Sequence, residues 1–224
     1  ARAAAEARQQ AEKDSMLLHR SSLDASAKKD HSSAMKVVHA ALSAAQGAGL
    51  TGTEAMHVAV QAISENMAAE GHAPARVGEA AKDAASAVGF DPDDAAAYGA
   101  AAACKAISEA MAVQGQGPAQ IGEAAKEAAV GAGLDADTAA AHSAAAASKA
   151  VAETMATQGQ APARVGEAAK DAASAAGLNA DDAASHGAAA AMEAVSENMA
   201  AQGHAPARVG EAAKEAALAA GLDA

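Results

Sequence analysis

Histidine offers this chain its most versatile chemistry, and several of its eight histidines recur at fixed positions. His142 and His186 stand 44 residues apart, with Tyr98 at the same position one step earlier. His72 and His204 share a second position, which Gln116 and Gln160 fill in between. A zinc-type site needs several ligands converging on one ion, and no HxxxH or recurrent carboxylate-His pairing supplies them. Successive equivalents in a helical stack lie roughly 10 Å apart, too far to share an ion. No metal site is expected. A porphyrin or chlorophyll-type pigment asks for less, because one axial His per molecule suffices. On that reading His72, His142, His186 and His204 are the candidate cofactor-binding residues.

Other reactive groups offer less. The chain has no GxSxG, P-loop, dinucleotide fingerprint or CxxC. Its single cysteine, Cys104, is matched by Ser148 and Met192 one and two steps on. A nucleophile would not be exchanged in this way, so Cys104 reads as a small packing residue that identifies no redox compartment. Asp91 with Asp94, and Asn179 with Asp182, resemble acid pairs, but they fall where a helix begins and are assigned to capping. No catalytic residue emerges, and the expectation is a protein that is not an enzyme.

The recurrence of these residues comes from the chain as a whole. The stretch from Pro74 to Gly117 begins again at Pro118, Pro162 and Pro206, a period of 44 residues without slippage. Such a period marks stacked supersecondary units. Each unit predicts two helices. Pro74 opens a short one at the position where a missing N–H costs nothing. Val77, Ala81, Ala84 and Val88 form its apolar stripe, with Glu79 and Lys82 paired on the other side. Gly89 stops it in the left-handed conformation, and Phe90 follows as the apolar residue such caps favour. Asp91, Asp135 and Asn179 then cap a long helix running from Pro92 to about Gln114 in the first regular unit. Thr51 and Glu54 form the corresponding capping box in the divergent first unit. The long helix ends at Gly115, Gly159 or Gly203, and a three-residue connection to the next Pro favours antiparallel neighbours.

Two local choices run against simple propensity. Arg76, Arg164 and Arg208 place a cation in the first turn of a helix, where the dipole disfavours it; they are expected to reach back to the carbonyls of the preceding long helix. Gln120 stands in their place once. Gly78, Gly122, Gly166 and Gly210 sit one turn into the short helix, where Gly costs about 1 kcal/mol relative to Ala. Close approach of another backbone would offset that cost, and Gly99 and Gly187, with Ser143 between them, predict the same for the long helix.

Composition agrees with thin packing. The chain holds 80 Ala but only 25 Leu, Ile, Val and Phe together, with no Trp. Ala is the best helix former and lets helices approach closely. The fold expected is all-α, an array of helical hairpins forming an α-solenoid or an elongated antiparallel bundle. Residues 1–30 read as a leading or capping helix, 31–73 as a divergent first hairpin, and 74–117, 118–161 and 162–205 as regular units. Residues 206–224 are the first helix of a further unit. In the first unit Val37 and Gly49 match Val77 and Gly89 at a spacing of 40, whereas Ile63 and Met67 match Ile107 and Met111 at 44. The missing four residues amount to about one turn, which shortens the long helix with little rotation of its apolar face.

The formal net charge is -12, and residues 1–30 hold six Lys or Arg against five Asp or Glu, the remainder ten against twenty-three. Acidic repeats lack the basic footprint that nucleic acid or an anionic membrane requires. No segment is apolar enough for a transmembrane span. The chain opens on Ala1 without a signal-peptide pattern, and Gly221-Leu222-Asp223-Ala224 repeats Gly133-Leu134-Asp135-Ala136, which leads into a long helix. A processed form or a fragment of a longer protein is the expectation. The function expected is that of a structural linker or scaffold, its near-identical units making repeated contacts with other proteins in a multi-subunit complex or in self-assembly. The alternative is a binder of a hydrophobic ligand or pigment through the recurrent histidines.

Overall fold

The computed structural model describes residues 52–87 and 89–222, together with Ala40 and Ser43. Every regular element among them is an α-helix. In chain order these are α1 (Gly52–Ala69), α2 (Pro74–Ala87), α3 (Pro92–Val113), α4 (Pro118–Gly131), α5 (Ala136–Thr157), α6 (Pro162–Ala175), α7 (Ala180–Ala201) and α8 (Pro206–Ala220). The leading segment 1–30, Thr51 of the capping box and Val88 of the apolar stripe lie outside the described residues.

Local signals and helix ends coincide. The short helices α2, α4, α6 and α8 begin on Pro74, Pro118, Pro162 and Pro206. Gly89, at φ 103°, stops α2 as Phe90 N–H donates to the Ala85 carbonyl at 3.1 Å. This six-residue closure satisfies a carbonyl that the helix end would otherwise leave unpaired. Asp91 accepts from the backbone N–H of Asp93 and Asp94 at 3.2 and 3.0 Å, and Asn179 accepts from those of Asp181 and Asp182 at 3.1 and 3.0 Å. Asp135 accepts from Asp137 and Thr138 N–H and also from the Thr138 hydroxyl at 2.8 Å.

These helices form antiparallel hairpins in which residues equidistant from a connection meet. A Cβ on Gly99 would press on the backbone of Lys82 across one connection, and Cys104 bonds Ala125 across the next. Beyond the hairpin, each long helix touches the next long helix and each short helix the next short one. No described helix packs against an element more than two places along the chain. The result is two layers, long helices in one and short in the other, which makes this a solenoid whose contacts are all between neighbours.

The core is a ribbon of alanine between the layers. Val77 and Ala81 of α2 are buried with Ala124 and Ala128 of α4. Ile121 and Ala125 of α4 are buried with Ala168 and Ala172 of α6, and Val165 and Ala169 with Ala212 and Ala216 of α8. One larger anchor recurs in every long helix, at Ile63, Ile107, Val151 and Val195, all at most 4% exposed, and α1 adds Val60 and Met67. Between short helices the backbones themselves meet. A Cβ on Gly78, Gly122 or Gly166 would overlap the carbonyl oxygen of Ala128, Ala172 or Ala216 respectively.

Two stability predictions follow from this packing. Gly122→Ala gains helix propensity but forces α4 and α6 apart, so the urea midpoint should fall, with a net loss of about 1–3 kcal/mol. At the start of α3 the charge of Asp91 is the main cause holding the Asp94 carboxyl above its ordinary value, whereas Thr138 lends a donor at the same place in α5. A raised folded value means that the fold penalises the ionised form, a penalty present at neutral pH and relieved as pH falls through the carboxylate range. Asp94→Thr should therefore raise the thermal midpoint at neutral pH, by an amount that shrinks on acidification.

Candidate functional site

The long-helix layer turns a repeated set of side chains to solvent. Glu65, Glu109, Glu153 and Glu197 hold one position in α1, α3, α5 and α7, and Gln61, Lys105, Lys149 and Glu193 hold the position one turn earlier. Lys105 pairs with Glu109 at 4.0 Å, and Lys149 with Glu153 at 3.7 Å. Lys149 also crosses to the next long helix and donates to Glu193 at 2.8 Å. That hydrogen bond is the main cause raising the Lys149 ammonium above its ordinary value. Glu109 is pushed up mainly by partial burial, with Glu65 and Glu153 adding repulsion and Lys105 opposing them.

Between α3 and α5 this face opens into a groove of about 780 Å³. Ala101, Ala141, Ala145 and Ala146 line it with His142, and Lys105, Glu109, Lys149 and Glu153 stand along it. The preceding step, between α1 and α3, differs. There His57 takes the place of Ala101 and packs at a tilt against Tyr98 with ring centroids 4.5 Å apart, and Tyr98 packs at a tilt against Phe90 at 4.6 Å. The only Phe and the only Tyr of the chain thus meet one His. The space left beside them is about 210 Å³. At the α3–α5 step, where Ala101 replaces His57 and His142 replaces Tyr98, the groove is open.

The four candidate histidines do not converge. His142 and His186 lie in the second turn of α5 and α7, half-buried. His72 and His204 lie in the connections that leave α1 and α7. His186 stands 15 residues before the end of α7 at Ala201, roughly 22 Å of helix away from the connection that holds His204. His72 Nε2 sits 3.1 Å from the Glu70 carboxylate, and His204 Nε2 3.2 Å from the Gln202 side chain. His142 lines the large groove, and His204 lines one of about 390 Å³ beside Arg208. Among the described residues no three His, Cys, Asp or Glu side chains gather as a metal site requires.

His57 carries no repeat signal, and its role was not legible from spacing. It becomes legible once the four-residue deletion is placed before it, since at a spacing of 44 it aligns with Ala101, Ala145 and Ala189. Arg164 does reach back from its helix, but to the Gln160 side chain at 3.0 Å, not to a backbone carbonyl. Gln120 accepts from Gly117 N–H at 3.2 Å and so acts as a cap. Compared with family models, with curated proteins and with solved structures, the chain gives no match.

Cys104 is fully buried, and its thiol donates to the Ala125 carbonyl at 3.2 Å. Burial pushes the thiol up to about 12. The thiolate is the reactive form, so a thiol reagent at pH 8 should leave the folded protein unlabelled and modify Cys104 only at the unfolding rate. Stability should be full below the ordinary thiol range and decline as pH rises from there towards 12, because only the unfolded thiol ionises in that window. Cys104→Ser should remove this alkaline decline.

Proposed function

We propose that the chain is a structural linker or scaffold whose long-helix layer offers other proteins the same face at each step. The observation carrying this reading is the regular row Glu65, Glu109, Glu153 and Glu197, set beside an alanine-lined groove that nothing in the described chain fills. A catalytic centre concentrates perturbed groups at one point. Glu109 and Lys149 both stand along the groove, but burial raises the pKa of the one and the ion pair with Glu193 raises that of the other, the pattern of a structural ion-pair row. Repetition gives a partner several weak contacts at fixed spacing, which add through effective concentration.

Ala145 lines the groove and is exposed, so a large side chain there alters the face without disturbing the core. A native pull-down with the full chain should retain partner proteins, and Ala145→Trp should weaken capture roughly tenfold with an unchanged melting temperature. Retention of no protein by the wild-type chain would count against the scaffold reading.

A second reading is favoured by the place of His142 on the groove. A flat hydrophobic ligand of the porphyrin or chlorophyll type, held axially by that His, would lie along Ala101 and Ala145. The native material would then carry a visible absorbance band that His142→Ala removes; a colourless native protein ends this reading.

A further inference from the structure

We infer that the groove between α3 and α5 receives a basic amphipathic helix of a partner protein, laid along the two long helices, an inference that rests on the scaffold reading and names the partner class its face suits. The outward stripe of each long helix follows a spacing of four, which keeps its members on one face. On α5 it runs Asp137, Ala141, Ala145, Lys149 and Glu153, and α3 repeats the pattern 44 residues earlier, from Asp93 to Glu109. Ala101, Ala141 and Ala145 are exposed. The trough between the two stripes is therefore floored by methyl groups along its middle and bounded by carboxylates at both ends.

The walls decide the form of the occupant. Between their end turns α3 and α5 spend their backbone N–H and C=O groups within themselves, so an extended segment would find no partners for its own backbone in the trough. A helix arrives with those groups already paired and packs as a third cylinder beside two. From Asp137 to Glu153 the stripe spans 16 residues, roughly 24 Å, and a partner helix of about the same length covers it. Alanine gives the walls no large side chains of their own. The partner must supply them, as a stripe of Leu, Ile or Met filling the space of about 780 Å³.

Charge decides its sign. The long helices α1, α3, α5 and α7 hold eleven Asp or Glu against two Lys, whereas the short helices α2, α4, α6 and α8 hold eight against seven Lys or Arg. The negative charge of the array thus sits on the layer that bears the groove. Both Lys are engaged, Lys105 with Glu109 and Lys149 with Glu153 and Glu193. Glu65 and Glu197 continue the rim to either side, and Asp93, Asp94 and Asp137 stand at the other end. An acidic helix would meet repulsion at both ends of the trough, and Lys or Arg at both ends of the partner's apolar stripe meets opposite charge instead. Such charges steer the encounter, and the contact with alanine between them holds the complex.

Two synthetic peptides test it, each a single amphipathic helix with the same Leu stripe, one carrying Lys and the other Glu at both ends. With a dye-labelled peptide titrated by the full chain and followed by fluorescence anisotropy, the Lys peptide should bind at least about tenfold more tightly than the Glu peptide. Its affinity should fall as salt rises. Ala145→Trp fills the trough from an exposed position and should lower that affinity about tenfold at an unchanged melting temperature. Joint Asp137→Asn and Glu153→Gln should narrow the preference for Lys while leaving the trough open. Failure of the Lys peptide to bind overturns the inference. So does equal binding of the Glu peptide, of a Lys peptide whose helix is broken by Pro, or of the Lys peptide to Ala145→Trp. The native pull-down is read separately. Proteins retained by the wild type and released by Ala145→Trp, with no binding of the Lys peptide, would overturn this inference and leave the scaffold reading standing. Retention of no protein, with the Lys peptide bound, would count against the scaffold reading alone.

Discussion

Where α2 meets α4, the carbonyl oxygen of Ala128 rests in the space that a Cβ on Gly78 would fill, and the same contact recurs at Gly122 and Gly166. The rest of the array depends on this approach of one backbone to another. It brings the short helices close enough for methyl groups to fill most of the space between them, so that a core made mainly of Ala needs only a few Val, Ile and Met anchors. It also fixes register. A glycine that admits one particular carbonyl cannot admit the neighbouring Cβ, so one hairpin settles on the next in one position. Packing of this kind gains little per residue, since an Ala methyl is worth about one buried CH₂, and stability accumulates by repetition.

Repetition at the backbone leaves side chains free to differ wherever the stack does not use them. Cys104, Ser148 and Val60 share one position, and each is buried there with a different chemical character. Ser148 returns its hydroxyl to the Ala144 carbonyl and Cys104 gives its thiol to Ala125, so neither polar group is left without a partner. The constraint at that position is size together with satisfied hydrogen bonding, and reactivity plays no part. The same logic explains Ser143 among Gly99 and Gly187, since its Oγ bonds the Ala139 carbonyl at 2.6 Å.

Nearly all of the fold was legible in the sequence because its determinants are local. Pro at the first helical position, Asp or Asn at the cap and Gly at the left-handed stop act within a few residues, and the 44-residue period repeats each of them. The glycines one turn into the short helix announced close approach without naming the atom that approaches, because that atom belongs to another repeat. The site was less legible for the same reason. Tyr98, His142 and His186 are equivalent along the chain but face different neighbours, His57 in one case and Ala101 in the next. Their surroundings are set by a residue one helix earlier, and the four-residue deletion changes which residue that is.

That deletion shows how a solenoid makes one step unlike the others without disturbing its stack. Removing about one turn keeps the apolar face of α1 pointed inward, so Ile63 and Met67 remain buried with the core of the next hairpin. On the solvent side, His57 then stands opposite Tyr98, with Phe90 closing the cluster. The result is an aromatic plug where the α3–α5 step has an open, alanine-lined groove. Polar and aromatic variation is therefore carried by the face that the stack leaves free, while buried positions such as 60, 104 and 148 exchange only small or medium side chains. Backbone contacts hold the inner face to Gly and Ala, and the outer face can be closed at one step and open at the next while the spacing between hairpins stays the same.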